Sequence, residues 1–277
     1  MSKYKLPEGN VQISFSGGRT SAFMLHQIID ANNGLPDRCK VIFTNTGLEM
    51  PQTLDFVQEC SKRWDIQIHW LEYMRDKNGP TYREVSYENA ARNGEPFAEL
   101  LRFKKFMPSP MKRFCTTELK MFTIKRFIRK GCNWDRWTQA VGIRADESHR
   151  AKKTSKDKWD YWYPLISDLI TKEKIADFWK DQSANNNFDL HLPNFNGKTP
   201  SGNCDFCFLK SESSTAYMLR NFPERARWWV DIEKEIGFPF RLDRNLTNMQ
   251  DFISRQGDWL FDDEAFLCQA DDGECTG

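Results

Sequence analysis

Two short segments of this 277-residue chain carry residue types at spacings that do chemistry. In Cys204-Asp-Phe-Cys207 the Cys-x-x-Cys spacing places two thiolates on one metal ion or one iron–sulfur cluster. In Ser16-Gly-Gly-Arg-Thr-Ser21, two adjacent glycines let the backbone approach an anion closely. Its N–H groups converge with a following helix N-terminus where a phosphate can bind. The loop lacks the Gly-Lys-Ser/Thr closure of a Walker A motif and the spaced glycines of a dinucleotide loop. Arg19 adds a planar donor fork suited to phosphate or sulfate. Taken alone, the segment also reads as an ordinary glycine turn.

Further along, Arg144, Glu147 and Arg150 bring two guanidinium groups that either clamp a polyphosphate or sulfonate or belong to a solvated charged loop. Lys120 is a second anion contact or a surface helix residue. Glu49 is a magnesium ligand, a ribose contact or a charge at a helix N-terminus. Cys39, Cys60 and Cys132 sit in apolar or helical contexts and read as buried thiols. None of His26, His69, His149 and His191 has metal-ligand spacing to another. Arg225-Ala-Arg-Trp-Trp229, with Arg220 upstream, is either a stacking contact for nucleic acid or helix core edged by arginines.

The elements that position these residues alternate in period. Val11–Phe15, Lys40–Thr44 and Ile66–Leu71 are short β-branched and aromatic runs, separated by helical patterns from Ala22 and from Pro51 to Trp64. This βαβαβ order predicts a parallel sheet with helices on both faces and ligands at the carboxyl ends of its strands. Residues 81–107 read as helices broken by Asn93-Gly94 and Pro96, followed by a helix to Lys130 and a strand at Trp137–Val141. A charged loop then runs from Ala151 to Asp160, and helices are predicted from near Thr171, from Ser213 to Asn221 and from Pro223 to Ile236. Residues 183–203 have no periodicity.

Composition narrows the classes. Lys and Arg number 40 against 39 Asp and Glu, a formal net charge of +1, so no global field gathers nucleic acid or membrane, and any anion site must be local. Eight dilute cysteines and a polar N-terminus predict a reducing, cytoplasmic setting with free thiols. No apolar run reaches the about eighteen residues of a membrane span. An aromatic content of 14% argues against disorder.

Ser16-Gly-Gly-x-x-Ser21 after a strand resembles the PP-loop of the adenine-nucleotide α-hydrolase superfamily. Five further segments resemble its phosphoadenosine-phosphosulfate (PAPS) reductase-like branch, of which similar members occur in phage and prophage. They are Asn45-Thr-Gly-Leu-Glu49 with Thr53-Leu54, Cys115-Thr-Thr-Glu-Leu-Lys120, Gly142-Ile-Arg-x-x-Glu-Ser-x-Arg150, Tyr163-Pro-Leu165 and Gly202-Asn-Cys-Asp-Phe-Cys207. The resemblance runs in order through residues 10–240 and implies a doubly wound, mostly parallel five-stranded α/β sheet in residues 1–180. Residues 181–277 would form a helical, cysteine-bearing region packed on it.

The resemblance also implies site roles. Ser16, Gly17, Gly18, Arg19, Thr20 and Ser21 would cradle the phosphates of ATP or PAPS, with Asn45, Thr46, Gly47, Glu49, Lys120 and Gly142 around the nucleotide and magnesium as an optional ion. Arg144 and Arg150 would neutralise a leaving group. Cys115, Cys204 and Cys207 would hold a [4Fe–4S] cluster, with Cys268 or Cys275 as a fourth ligand or the fourth iron open; zinc is the rival metal. Cys275, in an acidic tail, alternatively matches the nucleophile of sulfonucleotide reductases. The sequence departs from the family at Thr20, where ATP-using members commonly carry an acid, at Phe114, where cluster-bearing reductases have a second cysteine, and at Thr276-Gly277 after Cys275. The implied activity is sulfur transfer to a nucleobase or nucleic acid, with PAPS reduction to sulfite or a zinc-stabilised nucleotide-binding module as alternatives. The implied partners are an adenine nucleotide, a nucleic-acid acceptor, a sulfur donor or thioredoxin-like reductant, and a second copy of the chain.

Overall fold

The structure, a computed structural model, describes residues 2–151, 159–195, 199–238 and 246–256. Three apolar runs form the sheet centre: β1 (Val11–Ser14), β2 (Cys39–Asn45) and β3 (Ile68–Asp76). They are buried almost throughout, as strands covered on both faces must be. Between them run α1 (Arg19–Asn32) and α2 (Pro51–Arg63), the latter opening with proline, whose missing N–H costs nothing in a first turn.

Next comes a strand where the pattern over residues 81–107 predicts helix. β4 (Gly79–Val85) returns antiparallel from β3, with Asp76 paired to Gly79 across the two-residue turn Lys77-Asn78. Its side chains are half-exposed and polar, so it carries neither an apolar run nor a clean alternation, and Pro80 is tolerated because β4 is an edge. After α3 (Glu95–Lys104) a helical run follows in three parts: Thr116–Phe122, α4 (Thr123–Arg126) and Phe127–Gly131, the first and last wound as π-helix. β5 (Trp137–Ala140) and β6 (Trp159–Trp162) complete the sheet. Then come α5 (Pro164–Ser167), α6 (Lys172–Asn186), α7 (Glu212–Asn221), α8 (Pro223–Ile236) and α9 (Leu246–Gln256).

The sheet order is β4-β3-β2-β1-β5-β6, and every pair except β3/β4 is parallel. This is the doubly wound, mostly parallel fold expected, with six strands rather than five among the described residues. Neighbouring residues of β2 serve opposite faces. Phe43 packs into the larger core with Met24, Leu54 and Trp229, while Ile42 packs into a second core with Leu71, Trp137, Trp159 and Phe127. Strand order reverses at β1, which has β2 on one side and β5 on the other, so the loops after β1 and β5 part and leave a crevice at their carboxyl ends.

The helical C-terminal region is anchored to the end of β2 by a buried acid. Asp205 lies between Cys204 and Cys207; its backbone N–H donates to the Leu48 carbonyl at 3.0 Å, just beyond β2. Its carboxylate accepts from Arg225 Nε and from Trp229 Nε1 of α8, both at 2.7 Å. Burial pushes the Asp205 carboxyl above its ordinary value, while Arg225 and the Trp229 bond pull the other way. Among the described residues no helix is long and apolar enough to cross a membrane. Asp205→Ala orphans both donors and is expected to lower stability by about 3–5 kcal/mol in urea unfolding. Asp205→Asn, which retains the Trp229 bond, should cost less.

Candidate functional site

The turn after β1 is held from within. Ser21 Oγ accepts the Ser16 N–H at 3.2 Å, lies 2.9 Å from Ser16 Oγ and donates to the Gly18 carbonyl at 3.0 Å. Gly17 sits at φ +78°, and a Cβ there would come within 2.8 Å of the Thr53 methyl and 3.0 Å of Val57. Gly18 is the N-cap of α1, whose first turn holds no side-chain cap and no acid, the condition of an anion cradle. The β5 loop closes against it: a Cβ on Gly142 would stand 3.4 Å from Ser21 Cα.

Between these loops and the 116–131 helical run lies a cleft of about 750 Å³, open mouth included. Ser16, Ser21, Thr44 and Gly142 line its loop end, Lys120 and Lys125 line its helical wall, and Trp137 and Trp159 also line it. The two tryptophans stand side by side on β5 and β6, stacked at 5.2 Å and 18°. Both indole N–H groups are buried without a hydrogen-bond partner among the described residues. The sequence reading missed them, although two tryptophans at the starts of adjacent parallel strands are a legible pair once β6 is known.

The arginines are placed differently from expectation. Arg19 forms a bidentate pair with Asp189 at 2.7 and 2.6 Å and also donates to Thr199 and the Leu192 carbonyl. Its guanidinium therefore ties the loop to the C-terminal region, and only its backbone remains with the cradle. Arg144 and Arg150 do converge, but on the carboxylate between them: Glu147 Oε1 lies 3.2 Å from Arg144 Nη2 and 2.8 Å from Arg150 Nη1. Arg144 is also paired with Asp146, and its Nη1 reaches Thr20 of the loop at 3.5 Å. The segment that carries these cations also carries the acids that neutralise them. Glu147 Oε2 is buried without a partner among the described residues. A second cavity, about 410 Å³, lies on this side of the loop between Gly18, Thr20, Arg144 and Lys172.

The loop after β2 is a turn knitted by its own side chains. Asn45 donates to Glu72 and to the Ala91 carbonyl and accepts the Gly47 N–H. Glu49 takes the Thr46 N–H and hydroxyl at 2.9 Å each, so both carboxylate oxygens serve the turn rather than standing out toward an ion or a ribose. Gly47, at φ +80°, lets Gly94 N–H reach its carbonyl at 2.9 Å, where a Cβ would meet that nitrogen at 2.8 Å.

Cys115, Cys204 and Cys207 line one cavity of about 410 Å³, together with Thr46, Lys120 and Trp229. Cys204 Sγ lies 3.4 Å from Thr46 Oγ1. Burial first, and Glu49 second, push its thiol well above the ordinary value, with Lys120 opposing. Three thiols beside a lysine fit an iron–sulfur cluster or zinc by donor type, although among the described residues no three metal-ligating groups are already drawn together around a point. Cys268 and Cys275 lie outside the described residues. Cys39 and Cys60 are buried, and burial pushes the Cys39 thiol up to about 12. The 225–229 stripe is helix core edged by arginines: Trp229 is fully buried, Trp228 is half-buried against it, Arg225 is held by Asp205 and the Glu49 carbonyl, and Arg227 is exposed.

Residues 10–167 match the model of the phosphoadenosine phosphosulfate reductase domain. The chain belongs to that family. Among relatives, an uncharacterized nin region protein of Escherichia phage lambda is 32% identical over 205 residues, 72% of this chain and 66% of the relative. An uncharacterized protein of Methanocaldococcus jannaschii is 25% identical over 232 residues, 82% of this chain and 48% of the relative. The chain thus spans about two thirds and about half of these relatives' lengths. Among solved structures it is similar to PAPS reductase from Candida auris, in a phosphate complex, with a TM-score of 0.42, 16% identity and coverage of 66% of this chain and 80% of that one. It is also similar to the U34-tRNA thiolase NcsA from Methanococcus maripaludis with its [4Fe–4S] cluster, with a TM-score of 0.41, 14% identity and coverage of 90% and 82%. Gly17→Ala in this PAPS reductase domain protein forces a left-handed backbone on alanine at roughly 1–2 kcal/mol, before the clash with Thr53 is counted. The expected result is a lower urea midpoint.

Proposed function

We propose that this PAPS reductase domain protein is an enzyme that binds an adenine nucleotide in the cleft between the β1 and β5 loops. It uses the nucleotide to activate an oxygen of a nucleobase in a nucleic acid for replacement by sulfur. The observation that carries the reading is the position of Lys120, which lines both the cleft and the cavity of Cys115, Cys204 and Cys207. Nucleotide chemistry and thiol chemistry thereby share one wall.

In the proposed reaction the acceptor oxygen bonds to the α-phosphorus of ATP and pyrophosphate departs. Sulfur later takes the oxygen's place and AMP leaves with that oxygen. The N–H groups at the α1 N-terminus hold the phosphates. Lys120 and Lys125 bring the cleft's cationic charge to the departing phosphate, where fixed charge in a partly dry site counts most. Arg144, held by Asp146 and Glu147, backs the loop through Thr20. The unpartnered indole N–H groups of Trp137 and Trp159 donate to acceptors of the base or ribose. Cys115, Cys204 and Cys207 would hold a [4Fe–4S] cluster, which when bound supplies a thiophilic site for the incoming sulfur.

Anaerobic purification tests the donor set: brown protein with about four irons per chain is expected, and Cys115→Ser, Cys204→Ser or Cys207→Ser should each lose iron. Colourless protein with one zinc would replace this reading with a zinc-stabilised nucleotide-binding module. Thermal melts with ATP, PAPS and adenosine phosphosulfate identify the nucleotide, since only a ligand of the native state raises the midpoint. ATP should give the largest rise. Trp137→Phe or Trp159→Phe, which keeps the ring stack but removes the donor, should weaken that ligand by about 0.5–1.5 kcal/mol. Sulfite released from PAPS in a Cys275-dependent manner would overturn sulfur transfer in favour of reduction.

A further inference from the structure

The chain's net charge of +1 hides a sharply uneven distribution. Between Arg102 and Lys130 stand ten lysines and arginines and one acid, Glu118, so a quarter of the chain's 40 basic residues fall in 29 positions. Glu118 is shared by Lys104 and Arg126, at 3.0 and 3.4 Å, and cannot balance the rest. Arg102 and Arg129 find their acids outside the segment, in Glu235 and Asp135.

Aromatic rings are interleaved with these cations. Lys104 lies over Phe103 and Phe114, Lys112 over Phe106, and Lys125 over Phe122 and Trp159, all at 5.2–6.0 Å from the ring centroids. The segment opens as a braced loop. Phe106 and Phe114 pack edge-on at 4.8 Å, and Ser109 and Lys112 exchange backbone hydrogen bonds at 3.0 and 3.3 Å. The brace presents Met111, 95% exposed, followed by exposed Lys112 and Arg113, with exposed Lys105 preceding the aromatic pair. The same segment runs directly into Cys115 and Lys120 at the cysteine cavity and Lys125 at the cleft.

We infer that the 102–130 segment is the surface on which an unpaired stretch of nucleic acid is held, its phosphates along Lys105, Lys112 and Arg113 and a base against Met111. The inference rests on the reading of a nucleic-acid acceptor and names where that acceptor docks. A cationic track with exposed apolar and aromatic side chains is the chemistry that holds single strands, because phosphates take the charge and every base offers a face to stack. An acidic protein surface would use the charges but would leave Met111 without a role, while Phe103 already carries Arg75 over its ring at 3.5 Å. The stripe at 220–229 is the poorer match, since Trp229 is fully buried, Trp228 packs half-buried against Phe97 and Arg225 is held by Asp205.

The test is fluorescence anisotropy with labelled single-stranded RNA and DNA of about 20 nucleotides, the matching duplexes and polyglutamate as competitor, across a salt series. Neutralising Lys105, Lys112 and Arg113 together to Gln should weaken single-strand binding at least about tenfold and flatten the log–log salt slope by about 2, since each phosphate contact contributes about 0.7. Lys112→Gln alone should flatten it by about a third of that. Met111→Ala should weaken binding without changing the slope, and Arg227→Gln on α8 should leave it unchanged. No binding by the wild-type chain, an unchanged triple variant, preference for duplex, equal competition by polyglutamate, or an equal loss on α8 would each overturn the assignment. Iron content and the nucleotide-induced melting shift, measured on the same variants, should stay at wild-type values. They separate the two ideas: binding that survives without sulfur incorporation leaves the surface standing and removes the proposed reaction, and the reverse result removes the surface alone.

Discussion

The arrangement of the candidate site depends on one short stretch of backbone pairing, where the end of β2 meets the Cys-x-x-Cys loop. Leu48 accepts the Asp205 N–H, and Glu49 and Cys204 face each other as an isolated antiparallel bridge. Two backbone contacts alone would be weak, but each flank is locked by buried polar groups. On one side Asn45, Thr46 and Glu49 satisfy one another; on the other, Asp205 gathers Arg225 and Trp229. Such a web is costly to leave half-made, so it fixes one geometry rather than a range of them. It sets Cys204 and Cys207 against the end of β2, at the carboxyl edge of the sheet.

Charge is organised by the same logic of local satisfaction. Arg19, Arg144, Arg150 and Arg225 all meet carboxylates. Their positive charge is therefore spent on architecture: Arg19 and Arg225 tie the C-terminal region to the sheet, and Arg144 and Arg150 brace the loop after β5. Lys120 and Lys125 of the helical wall line the cleft. Lysine suits that place, because its compact ammonium on a flexible stem can follow a ligand that changes shape, whereas a bidentate arginine is set for one planar partner.

How far the sequence disclosed this differs from residue to residue. The buried strands were legible because an apolar run bounded by a glycine turn has few alternatives, and the loop Ser16–Ser21 followed from its place between strand and helix. β4 was not legible, since an edge strand that is wet on one side shows neither run nor alternation. β6 lay behind a charged loop whose lysines and aspartates masked Trp159–Trp162. The cysteine set could be assembled from spacing and family resemblance. The partner of Arg19 could not, because Asp189 lies 170 residues away and no local pattern announces it. Glu147 was visible beside Arg144 and Arg150, yet whether an acid within a motif completes a site or neutralises it depends on side-chain direction, which spacing does not encode.

The helical run from Thr116 to Gly131 shows why one element can serve several surfaces. In an α-helix a face recurs at three and four residues, so Cys115, Thr116, Leu119 and Lys120 would continue smoothly into one stripe. Here the run begins and ends as π-helix, with the Thr123 hydroxyl donating five residues back to the Glu118 carbonyl. The longer hydrogen-bond step turns the stripe. The first residues line the cysteine cavity, Lys120 to Lys125 line the cleft, and Phe127 and Ile128 turn into the core beneath the sheet. Local widening of this kind is tolerated where packing on both sides over-determines it, and it recurs at functional positions.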